Sequence, residues 1–459
     1  MPRKYKSKTR SKERSRRVSK FWQERIQAGI KAKESYTQKA EEVLAYFRNS
    51  DILFDGGDLA SKFMDFGAGS ATVSIPKVAQ LKASLGPRLY LPKPTRNLSA
   101  RVDDGVQVGL TRVLETYINY VSTEAKFSRE LRKCIDDALL RGRGFLETGW
   151  DSVRNCVTSW YVSSADIIFD PDVLDIEWIA IRNKESLWRT KRRVQDKWRL
   201  EGLEDDMKSL GNSPEVKQEY EEKENRVEAP GSNYKVEYWV ILSKMGYGFR
   251  GRDMEDTSKY DDKKDHCRIE IVMDHEYPLD EGEWPIPLYL DREWPITKMD
   301  FVESIDSPWP NSIMGQVLPA QKAIDLLTSL RVTSCKNRDR LVVFCDSRVE
   351  REVQDALRKG HRLQDSVMVA DFGAGSAETA NERQFLMEQI EVTTGIMQAI
   401  TGAPQTGSQD RSATATQARM NAVNARLADL QNKVEELVTD AARKEAITIK
   451  LELDVDEVA

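Results

Sequence analysis

The chain has 459 residues, 32% of them charged and 40% hydrophobic, with a formal net charge of −5. That length has room for roughly two to four domains, and no apolar run approaches the roughly 18–20 residues that would span a bilayer. The composition therefore predicts a soluble, charge-rich protein with no membrane partner, and the absence of an apolar stretch near Met1 argues against a secretory leader and for synthesis in the cytoplasm.

Residues 1–20 are almost all Lys, Arg and Ser, with Glu13 the only acid. A block of like charge repels itself, so residues 1–30 are expected to form a basic disordered arm until they meet an anion. Nucleic acid or an acidic protein surface would supply one; a solvated tail that aids solubility explains the same residues. Residues 31–49 read as a helix with Ala40, Val43, Leu44 and Phe47 on one face. Residues 51–70 are Gly-rich and loop-like, and residues 75–94 are mixed, ending extended at Pro92 and Pro94.

Residues 101–141 predict a long helical region in two segments. The first carries Val106, Leu110, Val113, Leu114, Tyr117 and Ile118; the second carries Phe127, Leu131, Ile135 and Leu139. Arg141-Gly-Arg-Gly144 stops it. Strands are expected at 145–151, 157–162 and 167–169, closed by Asp170-Pro171-Asp172, then a strand at 177–181 and a helix at 186–200. Residues 201–233 lose apolar content and read as a surface helix or linker. Strands follow at 235–241, 268–273 and 286–290, with a charged loop at 250–265. Residues 31–310 thus make an α/β body.

Residues 312–337 form the next predicted helix, with Ile313, Val317, Ala320, Ile324, Leu327 and Leu330 at spacings of three and four. Pro319 is expected to bend it. A small unit follows: a strand at 341–344, a helix at 349–357 and a strand at 366–370. A helix over 383–400 leads into Thr401-Gly-Ala-Pro-Gln-Thr-Gly-Ser-Gln-Asp-Arg411, where Gly402, Pro404 and Gly407 cannot continue it. Residues 412–446 contain no Gly or Pro and predict a rod of roughly 50 Å. Its seam of Val423, Leu427, Leu430, Val434, Leu437 and Ala441 is too short for a coiled coil and favours core packing. Residues 447–455 alternate apolar and polar and read as a terminal strand.

Enzymatic signatures are lacking. No phosphate loop G-x-x-x-x-G-K-[ST] occurs, and His266, His275 and His361 form no H-E-x-x-H pair. Cys134, Cys156, Cys267, Cys335 and Cys345 form no C-x-x-C pair, and their odd count reads as reduced thiols. The sequence Asp-Phe-Gly occurs at 65–67 and 371–373 without the other kinase elements. Asp166, Asp170, Asp172 and Asp175 would make a metal-dependent nucleic-acid enzyme the distant alternative, although a turn after a strand explains them too. We therefore assign no catalytic residue, no metal and no cofactor. Lys322, Arg331, Lys336, Arg338 and Arg340, on or just after the helix at 312, could follow a phosphate backbone through point charges; by themselves the residues favour an ordinary solvated face.

Four stretches in order give the chain a likeness: residues 137–151, Tyr161-Val-Ser-Ser-Ala-Asp-Ile-Ile-Phe-Asp-Pro-Asp172 with Trp178 after it, Trp309-Pro-Asn-Ser-Ile-Met-Gly-Gln-Val-Leu-Pro-Ala-Gln321, and Asp410-Arg-Ser-Ala-Thr-Ala-Thr-Gln417. Together, across about residues 100–446, the chain resembles the portal proteins of tailed bacteriophages, rings through which DNA enters and leaves the head. The resemblance implies a mixed α+β subunit: a wing over 31–310, a first stem helix at 311–337, a clip at 338–382, a second stem helix at 383–400, a tunnel loop at 401–411, a long wing helix at 412–446 and a terminal strand at 447–459. The helical crown of many portals would then be expected to be short or missing. Thr401, Gly402, Pro404, Gln405, Thr406, Gly407, Ser408, Gln409 and Arg411 would face double-stranded DNA, and Lys322, Arg331, Lys336, Arg338 and Arg340 would line the channel. The implied partners are further copies of the chain in a ring, usually of twelve, the terminase large subunit, head-completion or tail adaptor proteins, and capsid and scaffolding proteins. The implied place is the capsid vertex of the virion, after assembly in the host cytoplasm. Another viral head–tail adaptor or ring-forming protein, without a DNA-gripping loop, is the alternative.

Overall fold

A single helix, α1 (Pro2–Arg48), replaces the disordered arm expected at the amino terminus. The computed structural model describes residues 2–48, 75–91, 94–100, 104–151, 156–171, 176–194, 196–203, 235–246, 266–284, 293–304, 308–338, 342–344, 368–370, 377–394 and 413–452. In α1 the charge run conceals an apolar stripe: Val18, Trp22 and Ile26 recur every four residues and are all buried. They pack on Ile168, Trp178, Trp239 and Ile241, with Trp22 and Trp178 edge to face at 5.8 Å. Ser19 Oγ donates to the His275 carbonyl at 3.0 Å, and Gln23 Nε2 to those of Val272 and His275 at 3.1 and 2.8 Å. Further along, the Lys33 ammonium donates to the carbonyls of Ser164, Ala165 and Ile167 and lies 4.6 Å from the Trp309 ring centre. Loss of water around it pulls its pKa down to about 7.

The surface that receives α1 is a five-stranded antiparallel sheet in the order β3 (Ile167–Phe169), β4 (Trp178–Ser186), β5 (Lys235–Ser243), β6 (Cys267–Ile271) and β7 (Asp280–Glu283). It is covered on both faces, which is why Trp178-Ile-Ala-Ile181 is continuously apolar. Trp178 and Ala180 point to α1, while Ile179 and Ile181 join Phe145, Phe169 and Ile296 on the opposite face. That second face meets a three-stranded sheet, β2 (Cys156–Val162), β1 (Arg143–Asp151) and β8 (Ile296–Asp300). β4 runs five residues past the predicted end because Arg182–Ser186 keep pairing with Lys235–Trp239. Acidic β7 and short β8 have no counterpart among the predicted strands, and the strand expected at 286–290 lies outside the described residues. Where one helix was expected at 186–200, α5 (Leu187–Arg193) and a 3-10 turn at Lys197–Leu200 are found.

Helices complete the body. α2 (Lys77–Leu89), α3 (Gly105–Glu124) and α4 (Phe127–Arg141) precede β1, with α3 and α4 separated at Lys126, whose φ is 57°. α2 lies in the segment read as mixed, before its extended end; its Val78, Leu81, Leu85 and Leu89 face the largest core. α4 ends at Gly142, as the sequence predicts, with a φ of 104°. α6 (Ile313–Arg338) runs through Pro319 and is followed by the antiparallel pair β9 (Val342–Phe344) and β10 (Met368–Ala370), then α7 (Ala377–Thr394), which packs against α6. The helix expected at 349–357 falls outside the described residues.

α8 (Ala413–Glu452) closes the chain's described part. Val434, Leu437, Val438 and Ala441 enter the core with α4 and α6, in agreement with a packed rather than coiled-coil seam. Residues 447–452 of the expected terminal strand are instead the last turns of this helix, and the rest of it lies outside the described residues. Ala441, Ala442, Lys444, Glu445, Thr448 and Ile449 are buried at helical spacing, and Thr448 Oγ1 donates to the Lys444 carbonyl at 2.8 Å. Helix propagation from a strong helix-forming segment outweighs a short alternating pattern.

Candidate functional site

The predicted site divides into a part that can be placed and a part that cannot. Thr401, Gly402, Pro404, Gln405, Thr406, Gly407, Ser408, Gln409 and Arg411 lie outside the described residues, as does Arg340. Arg331, Lys336 and Arg338 belong to the last turns of α6, where only the backbone is described. Lys322 is placed in full: its ammonium pairs with the Glu42 carboxylate of α1. It is therefore a joint between two helices, and no local pattern signals it because the two residues are 280 positions apart.

Around this joint lies a cavity of about 340 Å³ between α1 and the start of α6, with Tyr36, Lys39, Arg141, Asn311 and Lys322 among its lining. The first turn of α6 is capped from within, Ser312 Oγ accepting from the Gly315 N–H at 2.7 Å. Arg141 is engaged as well, 3.4 Å from Asp137 and donating to Ser163 Oγ at 2.6 Å. Burial raises the Asp137 carboxyl above its ordinary range while Arg141 opposes the shift. The arrangement braces helices against one another.

Near its carboxyl-terminal end α8 is anchored to the body. Glu445 is buried and accepts from Arg96 and from Ser159 Oγ, the latter at 2.6 Å; Ser159 in turn shares a hydrogen bond of 2.9 Å with Thr148. Its neighbour Lys444 donates to the Ile296 carbonyl at 2.9 Å and to Thr297 Oγ1 at 3.0 Å. Burial raises the Glu445 carboxyl and lowers the Lys444 ammonium. Adjacent residues of opposite charge thus tie one turn of α8 to all three strands of the β2-β1-β8 sheet. Their sequence signal is weak, since Lys-Glu on a helix usually faces water.

The carboxylates of the metal alternative are differently placed. Asp166 accepts from Arg182 Nε and Nη2 at 2.8 and 2.6 Å, and Asp170 is buried 3.8 Å from Arg25. Asp172 and Asp175 lie outside the described residues, and among the described residues no group of three His, Cys, Asp or Glu is arranged to hold a metal ion. Cys134, Cys156 and Cys267 are buried thiols outside any disulfide among the described residues.

One surface emerges only in three dimensions. On α3 the apolar arc is wider than the body covers. Ile118 and Val121 are buried, with Leu114 and Tyr117 packed beside them, whereas Val106, Leu110, Val113 and Tyr120 are 69, 48, 44 and 65% exposed. At 100° per residue these positions span about 160° of the helix surface. The spacing of 106, 110, 113 and 120 carries the signal, but in the sequence it merges with the core face at 114, 117 and 118. Among the described residues no helix is long and apolar enough to cross a membrane. No protein-family model matches the sequence, and no curated protein matches it.

Proposed function

We propose that the chain is a portal-type subunit, forming a ring at a capsid vertex through which double-stranded DNA is packaged and ejected, and that it is not an enzyme. The observation that carries the reading is the order of parts after the α/β body: α6, the antiparallel pair β9 and β10, and α7 packed on α6, then, across residues 395–412, the 40-residue α8 that returns to dock on the body. In that order α6 and α7 are the stem, β9–β10 belongs to the clip, and Thr401–Arg411 is the tunnel loop. The open apolar arc of α3 supports self-association, because exposed contiguous apolar surface of this kind marks protein contacts. A net acidic chain suits a channel wall: it mostly repels phosphate and lets the duplex slide, with sparse Lys and Arg lowering the barrier. Terminase, tail adaptors, scaffold and shell are the partners the reading requires, and the virion is the place.

Deletion of residues 405–409 tests the loop's part. The deleted chain should assemble as the parent does while packaging or retention of DNA falls at least tenfold. Loss of assembly would make the loop structural and remove it from the channel.

A further inference from the structure

The charge imbalance of the first twenty residues takes on a different meaning in a helix. Ten Lys and Arg stand there against Glu13 alone. The first turn of α1 holds no acid, so Arg3 and Lys4 occupy the positive end of the helix macrodipole, where cations are destabilising. An anionic ligand would reverse that penalty. Lys4, Lys6, Lys8, Arg10, Lys12, Arg14 and Arg16 recur at every second position. At 100° per residue such a series winds onto two opposite sides of the helix instead of gathering in one stripe.

Apart from Tyr5 no large apolar residue lies between Pro2 and Val18, so this part of α1 lacks the apolar face that an interfacial membrane helix buries. Among the described side chains the hold on the body begins at Lys12, which pairs with Glu201 at 2.9 Å and lies 5.5 Å from the Trp198 ring centre; Arg16 pairs with Glu276 at 2.8 Å. Such exposed pairs contribute little, and the fixed anchor is the buried Val18, Trp22 and Ile26. From Pro2 to Lys12 the helix covers ten residue steps, about 15 Å.

We infer that residues 3–10 of α1 are a binding element for the phosphate backbone of a nucleic-acid duplex, separate from any channel. A major groove admits an α-helix and flanks it with two phosphate rows, which matches cationic positions on two sides. An acidic protein surface meets one side only and would leave half of these charges unmatched. The inference stands apart from the portal reading, because it uses none of the residues assigned to stem, clip or loop.

The test uses the full chain and a fluorescent DNA duplex of about 30 base pairs, followed by anisotropy over a range of salt concentrations. Replacing Arg3, Lys4, Lys6, Lys8 and Arg10 by Gln should weaken binding at least tenfold and lower the slope of log K against log salt by roughly 0.9 for each phosphate no longer neutralised. The chain lacking 405–409 should bind the same duplex unchanged, which separates failure of this inference from failure of the loop assignment. Equal affinity and slope for the fivefold variant and the parent would overturn the inference. So would displacement of the duplex, at lower charge concentration, by a polyglutamate peptide or by phosphatidylserine vesicles, which would point to an acidic protein or a membrane. A second measurement needs no variant: the duplex should slow tryptic cleavage after Lys6 and Lys8 in the parent chain, and unchanged cleavage contradicts the proposal.

Discussion

Arg96 and Glu445 are 349 positions apart and both buried, 4% and 3% exposed. Taking two charges out of water is costly, and their attraction offsets this only where remaining hydrogen-bonding groups are also matched. Glu445 meets that condition through Ser159, whereas Arg96 Nε and Nη2 are buried with no hydrogen-bond partner among the described residues, and the guanidinium lies 4.2 Å from the Phe127 ring centre. Removing one partner is therefore worse than removing both. Arg96→Met should destabilise the chain by about 3–5 kcal/mol, since it strands a buried carboxylate. Arg96→Met with Glu445→Gln should recover most of that loss. Chemical denaturation of both variants decides it: a single variant within about 0.5 kcal/mol of the parent would mean that water reaches the pair.

At the scale of elements, the junction of α4 and β1 governs where α6 begins. Gly142 has a φ of 104°, and a Cβ there would lie 2.5 Å from the Pro310 carbonyl oxygen and 3.0 Å from the Ser312 nitrogen. Gly142→Ala must both adopt a left-handed backbone, at a cost of about 1–3 kcal/mol, and push back the segment that starts α6. A loss of stability larger than the backbone cost alone is expected in denaturant titrations; a neutral variant would show that residues 310–312 can move freely. This turn was legible in the sequence because Gly after a helical pattern has one main use. β3 and α6 were equally legible, since apolar runs bounded by Asp-Pro or an apolar 3–4 spacing leave few alternatives. The amino-terminal helix and the last turns of α8 were not. In the first, Val18, Trp22 and Ile26 sit within a charge run whose local preference is disorder; in the second, Ile447 and Ile449 mimic a strand until Glu445 and Thr448 are seen buried on the same side. β7 owes its existence to pairing with β6, a partner that its own residues, Asp280–Glu283, do not announce. As for the site, Lys322 was legible as a cation but not as the partner of Glu42, because nothing local links α6 to α1.

For the whole molecule, three features bear on assembly: an acidic chain with a cationic amino-terminal helix, two packed helices with an antiparallel strand pair between them in the chain followed by the anchored α8, and an apolar arc on α3 that the body leaves half open. Val106, Leu110, Val113 and Tyr120 are the exposed apolar side chains on α3 that a neighbouring copy could cover. In a ring each copy would present the same arc to the same neighbouring surface, and closure would follow from the rotation between neighbours. Electron microscopy of the purified full chain tests the portal reading most directly. Closed rings with a central hole wide enough for a DNA duplex are predicted, whereas a stable monomer without rings at micromolar concentration would contradict it.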